Sequence, residues 1–221
     1  MSNNLLKGKK GIIFGALNPD SIAWKVAERA HEEGATLTLT NTPVALRMGE
    51  TKKLAEKLNT EVIGADATNV DDLNNLFINS MELLGGKIDF VLHSIGMSPN
   101  VRKERHYSDL EYIYGRERHV RINTISQSPT ITTAGSGVKG FDRLLDFAER
   151  MSPLGNATGD ECADYCITMF SDLTRKVTMQ NLFNDGGFSN MGMSLRALQQ
   201  YEKGLYTDEK TGKRSKDHSY D

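Results

Sequence analysis

No run in this 221-residue sequence approaches the roughly 20 apolar residues that a membrane-crossing helix needs. The start, Met1-Ser2-Asn3-Asn4-Leu5-Leu6-Lys7, lacks the long apolar stretch of a leader peptide. A soluble, cytoplasmic protein is expected, without a membrane partner. Neither charge dominates, since 27 Lys and Arg stand against 29 Asp and Glu. That balance argues against a polyanion-binding surface, so no nucleic acid is expected. The sequence is equally poor in metal-ligand patterns. Its two cysteines, Cys162 and Cys166, lie four apart in helical spacing with no second Cys or His pair beside them. Reduced, partly buried thiols are the expected reading. His31, His93, His106, His119 and His218 are scattered, and no metal is expected. There is no internal repeat. The length suits one domain with a full core, or one domain and a tail.

Against these absences stands one organised stretch, Gly11 to Trp24. Ile12-Ile13-Phe14 reads as a buried parallel strand, Gly15 breaks it, and an amphipathic helix starts near Ser21. Strand, glycine turn and helix together present backbone N–H groups and a positive helix end to a phosphate. The G-x-G-x-x-G spacing is absent, so spacing alone leaves a nucleotide cradle and an ordinary βα turn both open.

Downstream, the periodicity predicts a helix over Ile22–Glu33 closed by Gly34, a strand over Thr36–Thr40, and a helix over Lys52–Leu58. A short strand at Val62-Ile63 ends at Ala65-Asp66. A helix over Val70–Leu84 and a strong strand over Ile88–Ile95 follow. This alternation predicts an α/β fold with a Rossmann-like, doubly wound parallel sheet, its crevice beyond the carboxyl ends of the strands. Further strands are expected at Val120–Ser126 and Lys176–Asn184. Helices are expected near Tyr107–Arg118, Phe141–Met151 and Asp160–Phe170. Residues 1–206 are expected to form one dinucleotide-binding domain, and 207–221, polar and charged, a disordered tail.

Several motifs coincide at the strand ends. They are Gly15-Ala16 with Ile22-Ala23, Ala65-Asp66-Ala67, and His93-Ser94-Ile95-Gly96-Met97-Ser98-Pro99. Arg121-Ile122-Asn123-Thr124-Ile125-Ser126 with Pro129, and Asp185-Gly186-Gly187-Phe188, complete the set. In this order they resemble the enoyl-[acyl-carrier-protein] reductases, a divergent branch of the short-chain dehydrogenase/reductases. The resemblance runs from about Gly8 to Gly192. It implies reduction of the trans-2 double bond of an acyl chain on acyl carrier protein in fatty acid biosynthesis, with NADH as cofactor and NADPH left open.

By the same resemblance, Gly15, Ser21 and Ile22 line the pyrophosphate and adjoining ribose, and Thr42 touches the adenosine half. Asp66 and Ala67 hold the adenine. Ile95 packs near the nicotinamide ribose, and Thr130, Ile131, Thr132, Thr133 and Ala134 hold the nicotinamide side. Ser98 meets the substrate. Simpler roles stay open: Ser21 as a helix cap, and Asp66 as a cap of the turn before the next helix. Strand two ends Thr40-Asn41-Thr42-Pro43, without the acid that bonds a ribose 2′-hydroxyl. Arg47 is either a partner for a 2′-phosphate or a solvated charge.

The family's chemistry rests on Y-x6-Y-x6-K, and that motif does not occur between Met97 and His119. Tyr107 and Tyr114 have the tyrosine spacing, but the next position in register is Arg121. Glu111 reads as a junction between two stretches not adjacent in the family. The absent piece amounts to one strand and most of two helices, roughly 60 residues. No catalytic residue is therefore assigned. A non-catalytic nucleotide-binding remnant is the alternative reading. An alcohol-acting short-chain dehydrogenase is disfavoured, because its Y-x3-K is missing too. The family is homotetrameric through the absent helices, so that assembly does not carry over automatically. The cations Arg102, Lys103, Arg105, Arg116, Arg118 and Arg121 either face the acidic carrier protein or are merely solvated.

Overall fold

A computed structural model describes residues 2–95, 115–132, 135, 141–191 and 199. Four parallel strands form the main sheet. They are β1 (Lys10–Phe14), β2 (Thr36–Asn41), β3 (Glu61–Gly64) and β4 (Phe90–His93), in the order β3-β2-β1-β4. In β1, Ile12 and Phe14 point to one face and Ile13 to the other, and all three are buried. Both faces are therefore covered, as a parallel sheet requires. α1 (Ile22–Glu32) lays Ala23, Trp24, Val26, Ala27 and Ala30 onto the Ile13 side. α4 (Val70–Leu83) brings Leu76 to Ile12 and Phe14 on the other. The Asn69 side chain caps α4 by accepting from the Asp71 and Asp72 N–H groups.

Between β2 and β3 run two helices, α2 (Pro43–Met48) and α3 (Thr51–Leu58). The expected helix matches α3. α2 adds to it, begun by Pro43 in the first turn and by Thr42 Oγ1, which accepts from the Ala45 N–H at 3.3 Å.

A second, two-stranded parallel sheet joins β5 (Thr124–Gln127) to β6 (Asn181–Asn184). α5 (Phe141–Met151) and α6 (Gly159–Phe170) lie between them in the chain. α6 opens with a reciprocal cap. The Thr158 hydroxyl accepts from the Glu161 N–H, and the Glu161 carboxylate accepts from the Thr158 N–H at 2.7 Å. α6 packs along α1, with Cys162, Ala163, Cys166 and Ile167 in the α1 core. Both cysteines are free thiols, and they are buried rather than partly buried. Phe170 stacks on Phe90 at 4.4 Å between ring centroids, and Arg29 pairs with Asp164 at 2.6 Å.

Both later strands are shorter than the periodicity suggests. Residues 120–123 and 176–180 meet through a turn instead of a ladder. Met179 sits at φ +59°, the Asn123 amide donates to the Val177 carbonyl, and the Ile122 N–H donates to Thr178 Oγ1. Pairing becomes regular only from Thr124 and Asn181. The fold is the expected parallel α/β layering, but the strands fall into two sheets. Among the described residues β4 pairs only with β1, and β5 only with β6. The expected helix near Tyr107 is described only at 115–118, which is helical. Residues 207–221 lie outside the described part.

Candidate functional site

The carboxyl ends of β1, β2 and β4 converge on Gly15. It adopts φ +92°, a left-handed conformation in which glycine avoids the Cβ penalty. A Cβ at Gly15 would run into the Ser94 carbonyl oxygen just beyond β4. The Gly15 N–H donates to the Thr40 carbonyl at 3.2 Å, which locks the turn against β2. The loop from Gly15 to Asp20 then delivers the chain to the N-terminus of α1.

Ser21 occupies the N-cap position of α1, yet its side chain makes no capping bond. Its hydroxyl turns back and donates to the Asn18 carbonyl at 2.7 Å. No acidic residue lies in the first turn of α1. Apart from Asp20, which directly precedes the N-cap, no carboxylate of the adjoining chain offsets the positive end of the helix dipole, which suits an anion. Ile22 is partly buried and packs against the α1 core, which fixes the helix start to the sheet. A glycine cradle that no Cβ would fit, beside an acid-free helix end, matches the demands of a pyrophosphate.

At the end of β2, Thr42 is committed to capping α2. Asn41 was not among the expected contacts, although it stands at the strand's carboxyl end. Its side-chain Nδ2 is buried without a hydrogen-bond partner, as is Thr40 Oγ1. Asn41, partly buried at the strand's end, is the one of the two placed to meet a ligand's hydroxyl groups, since Thr40 is fully buried. The signal was available, because polar residues at the carboxyl ends of parallel strands face the crevice.

Asp66 and Ala67 follow β3. Asp66 Oδ1 accepts from both the N–H and the hydroxyl of Thr68, each at 2.8 Å. Those bonds, the backbone one first, hold its carboxyl below the usual Asp range. Asp66 Oδ1 thus serves its own turn, which leaves Oδ2 as the oxygen for a ligand amine. Ala67 packs at the margin of the α4 core. Ile95, just past Ser94, is exposed enough to contact a ligand.

On the β5 side, Thr130 Oγ1 lies 2.9 Å from Gln127 Nε2 and donates toward the carbonyls of Ser128 and Ala157. Ile131 projects outward at 72% exposure. Thr132 Oγ1 accepts from the Gly135 N–H at 3.0 Å. Pro129, Thr130 and Ile131 line a cavity of about 550 Å³ shared with α5 and the start of α6. Leu145 adds apolar surface to it, and Asp142 and Asp146 add negative charge. Ser98, Thr133 and Ala134 lie outside the described residues, as do Tyr107, Tyr112, Tyr114 and the Leu110–Glu111 junction.

Arg121 does not join an outward-facing basic cluster. Its guanidinium donates to the carbonyls of Met169 and Thr174 at 2.9 and 3.0 Å and to Thr174 Oγ1 at 3.2 Å. It clamps the end of α6 to the approach of β5. Arg116 and Arg118 are exposed, while Arg102, Lys103 and Arg105 lie outside the described residues. The Asp185-Gly186-Gly187 turn is likewise structural. Asp185 is buried, which would raise its pKa, but bonds from the Ser189 and Gly187 N–H groups outweigh this and lower it. A Cβ at Gly186 would strike the Gly155 carbonyl oxygen. Among the described residues no group of three or more His, Cys, Asp or Glu side chains could hold a metal ion.

Parallel layering, a glycine turn at the end of β1 and a crevice at the strand ends define a Rossmann-like α/β protein. The sequence profile described as Enoyl-(Acyl carrier protein) reductase matches residues 15–114 and again 114–189. The chain belongs to that family. It is 51% identical to the FabI of the Alistipes finegoldii FabI–NADH complex, with a TM-score of 0.82 over 93% of this chain and 96% of that one. A second crystal structure of A. finegoldii FabI gives 49% identity and a TM-score of 0.80, covering 92% and 98% of the two chains. Enoyl-[acyl-carrier-protein] reductase [NADH] FabI of Rickettsia typhi is 27% identical over 260 residues, covering 88% of this chain and 99% of its own. Since 88% of 221 residues is about 194, about 65 positions of that alignment have no counterpart here.

Proposed function

We propose that the chain binds NADH across the ends of β1 to β4 and serves the reduction of enoyl-acyl-carrier-protein in fatty acid biosynthesis. The observation that carries the reading is Gly15, left-handed and pressed on Ser94 at the foot of an acid-free helix end. Gly15, Ser21 and Ile22 would hold the pyrophosphate, with Asn41 and Thr42 at the adenosine ribose. Asp66 Oδ2 and Ala67 would meet the adenine. Ile95 and the Thr130–Thr132 stretch would hold the nicotinamide end, together with Thr133 and Ala134. Ser98 would meet the substrate. When bound, the cofactor supplies a hydride for the β-carbon of the enoyl thioester. The protein's part is to orient the nicotinamide and exclude water beside Ile95 and Ile131. Acyl carrier protein is the partner that brings the substrate, and the cytoplasm is the compartment. Among the described residues no helix is long and apolar enough to cross a membrane. The folded unit is residues 1–206.

A second reading, a nucleotide-binding chain without turnover, is favoured by one observation: the sequence has no Y-x6-Y-x6-K. Purified chain is mixed with NADH and crotonyl thioester of acyl carrier protein, and loss of nicotinamide absorbance is followed beside a binding titration. Saturable turnover supports the first reading, binding without turnover the second. A folded chain that does neither overturns both.

A further inference from the structure

Both strands of the smaller sheet end in an amide side chain. Gln127 of β5 and Asn184 of β6 are partners in the register, so the two side chains stand on one face of the ladder. Asn184 Nδ2 donates to Gln127 Oε1 at 2.8 Å. Gln127 Nε2, with its two protons, then faces three acceptors beyond the strand end. They are Thr130 Oγ1 at 2.9 Å, the Ala157 carbonyl at 3.1 Å and the Thr158 carbonyl at 3.3 Å. Behind it, the Asn184 side chain also bonds to the buried Cys162 thiol of α6. Ser128 runs a second row beside this one. Its N–H donates to the Asn184 carbonyl at 3.1 Å, and its buried hydroxyl oxygen accepts from the Ala157 N–H at 2.7 Å. The β5–β6 ladder is already closed by its backbone, and α6 carries its own reciprocal cap. What the Gln127 side chain adds is a hold on residues 128–131, which form one wall of the cavity of about 550 Å³.

We propose that Gln127, anchored by Asn184, is a positioning residue for the nicotinamide end of the cofactor. The inference rests on the dinucleotide reading above and adds to it two residues that touch no ligand themselves. Thr130 Oγ1 accepts from Gln127, and its one proton goes to the Ser128 and Ala157 carbonyls at 2.9 and 3.0 Å. With its hydroxyl spent inside the protein, Thr130 meets a ligand through its main chain. Gln127 therefore sets how that main chain and the neighbouring Ile131 side chain face the cavity. Without the Gln127 donors, residues 129–131 lose their tie to the α6 turn and to β6, and the nicotinamide loses a fixed wall. The residues assigned to the pyrophosphate and adenine, Gly15, Ser21 and Asp66, belong to the four-stranded sheet and are held by bonds of their own. The loss should thus fall on the nicotinamide half of the cofactor alone.

Gln127→Met keeps the length of the side chain and removes its donors. The full chain and this variant are titrated with NADH and with ADP-ribose, which carries the adenosine and pyrophosphate but no nicotinamide ring. The Kd for NADH should rise about five- to tenfold, the worth of one or two hydrogen bonds, while that for ADP-ribose stays at the parent value. Asn184→Leu removes the anchor behind Gln127 and should give a smaller loss of the same NADH-only kind. Ser126→Ala deletes a bond of the same ladder, to Asn181 Oδ1 at 2.8 Å, that does not reach Thr130. It should leave both affinities unchanged. Equal weakening of both ligands by Gln127→Met makes the residue a structural one and overturns the proposal, as does an unchanged NADH affinity. If Gln127→Met does not fold, Asn184→Leu with the same two ligands decides. A parent chain that binds neither ligand overturns the dinucleotide reading and this proposal with it. A parent that binds both, with no NADH-only loss in the variants, overturns this proposal alone.

Discussion

Replacing Gly15 by alanine tests the cradle at its tightest point. Two costs arise. An L-residue in the left-handed region gives up about 1–2 kcal/mol. The new methyl also meets the Ser94 carbonyl oxygen, a backbone atom that can retreat only if β4 shifts against β1, and overpacking of this kind costs about 1–3 kcal/mol. A total near 3 kcal/mol corresponds to a melting temperature lower by about 6–12 °C in a domain of this size. Gly8→Ala separates the two terms. Gly8 has φ +76°, but nothing lies within 4 Å of its added Cβ. It should lose only the conformational part, about 1–2 kcal/mol. Calorimetry gives both shifts, and an NADH titration of each variant gives the functional consequence. Gly15→Ala should lose binding by at least about tenfold, since a loss of about 1.4 kcal/mol or more at the phosphate cradle corresponds to that factor. Equal melting shifts for the two variants, with NADH binding intact in Gly15→Ala, would refute the reasoning.

Other positions give independent checks. Phe170→Ala removes the stack on Phe90 from a partly buried site and should cost about 2–3 kcal/mol by urea unfolding, loosening α6 from the main sheet. Arg121→Lys keeps the charge but cannot span the Met169 and Thr174 acceptors together. It should lose about 2 kcal/mol while leaving NADH affinity unchanged, as expected of a clamp and not of a carrier-protein contact. The Glu161 carboxyl is held below its ordinary value of 4.5 by the Thr158 N–H and then by the Thr158 hydroxyl. A carboxyl with a lowered folded pKa contributes stability above its unfolded pKa and loses it as the pH falls through the folded one. The melting difference between the parent and Glu161→Gln should therefore be constant above about pH 5.5 and shrink as the pH drops below 4.5.

The first half of the fold was legible because pattern and physics agree there. Ala23, Val26, Ala27 and Ala30 repeat at helical spacing and are the residues that α1 buries. α2 escaped a reading based on periodicity because it is one short helix with no buried residue. Its Thr42-Pro43 start carried the only available signal, a cap followed by proline. β5 and β6 were overestimated because apolar alternation continues through Val120 and Val177. There the backbone is committed to a turn at Met179, and no local pattern reveals that. At the site, the resemblance pointed to Gly15, Asp66 and the Thr130 stretch. It could not show that Asp66 also closes its own turn, nor that Thr42 spends its hydroxyl on α2. Arg121 illustrates the general difficulty. A basic residue in a basic stretch reads as surface charge until its three long-range acceptors are placed.

The central claim is that the dinucleotide site is preserved in this chain, and its single tryptophan reports on that directly. Trp24 is buried in the first turn of α1, immediately past the Gly15–Ser21 loop, with its indole N–H on Glu28 at 2.9 Å. Titrating the purified chain with NADH should produce saturable energy transfer from Trp24 to the reduced nicotinamide, and the signal should be lost in Gly15→Ala. A folded chain that shows no saturable transfer at any NADH concentration would contradict the account.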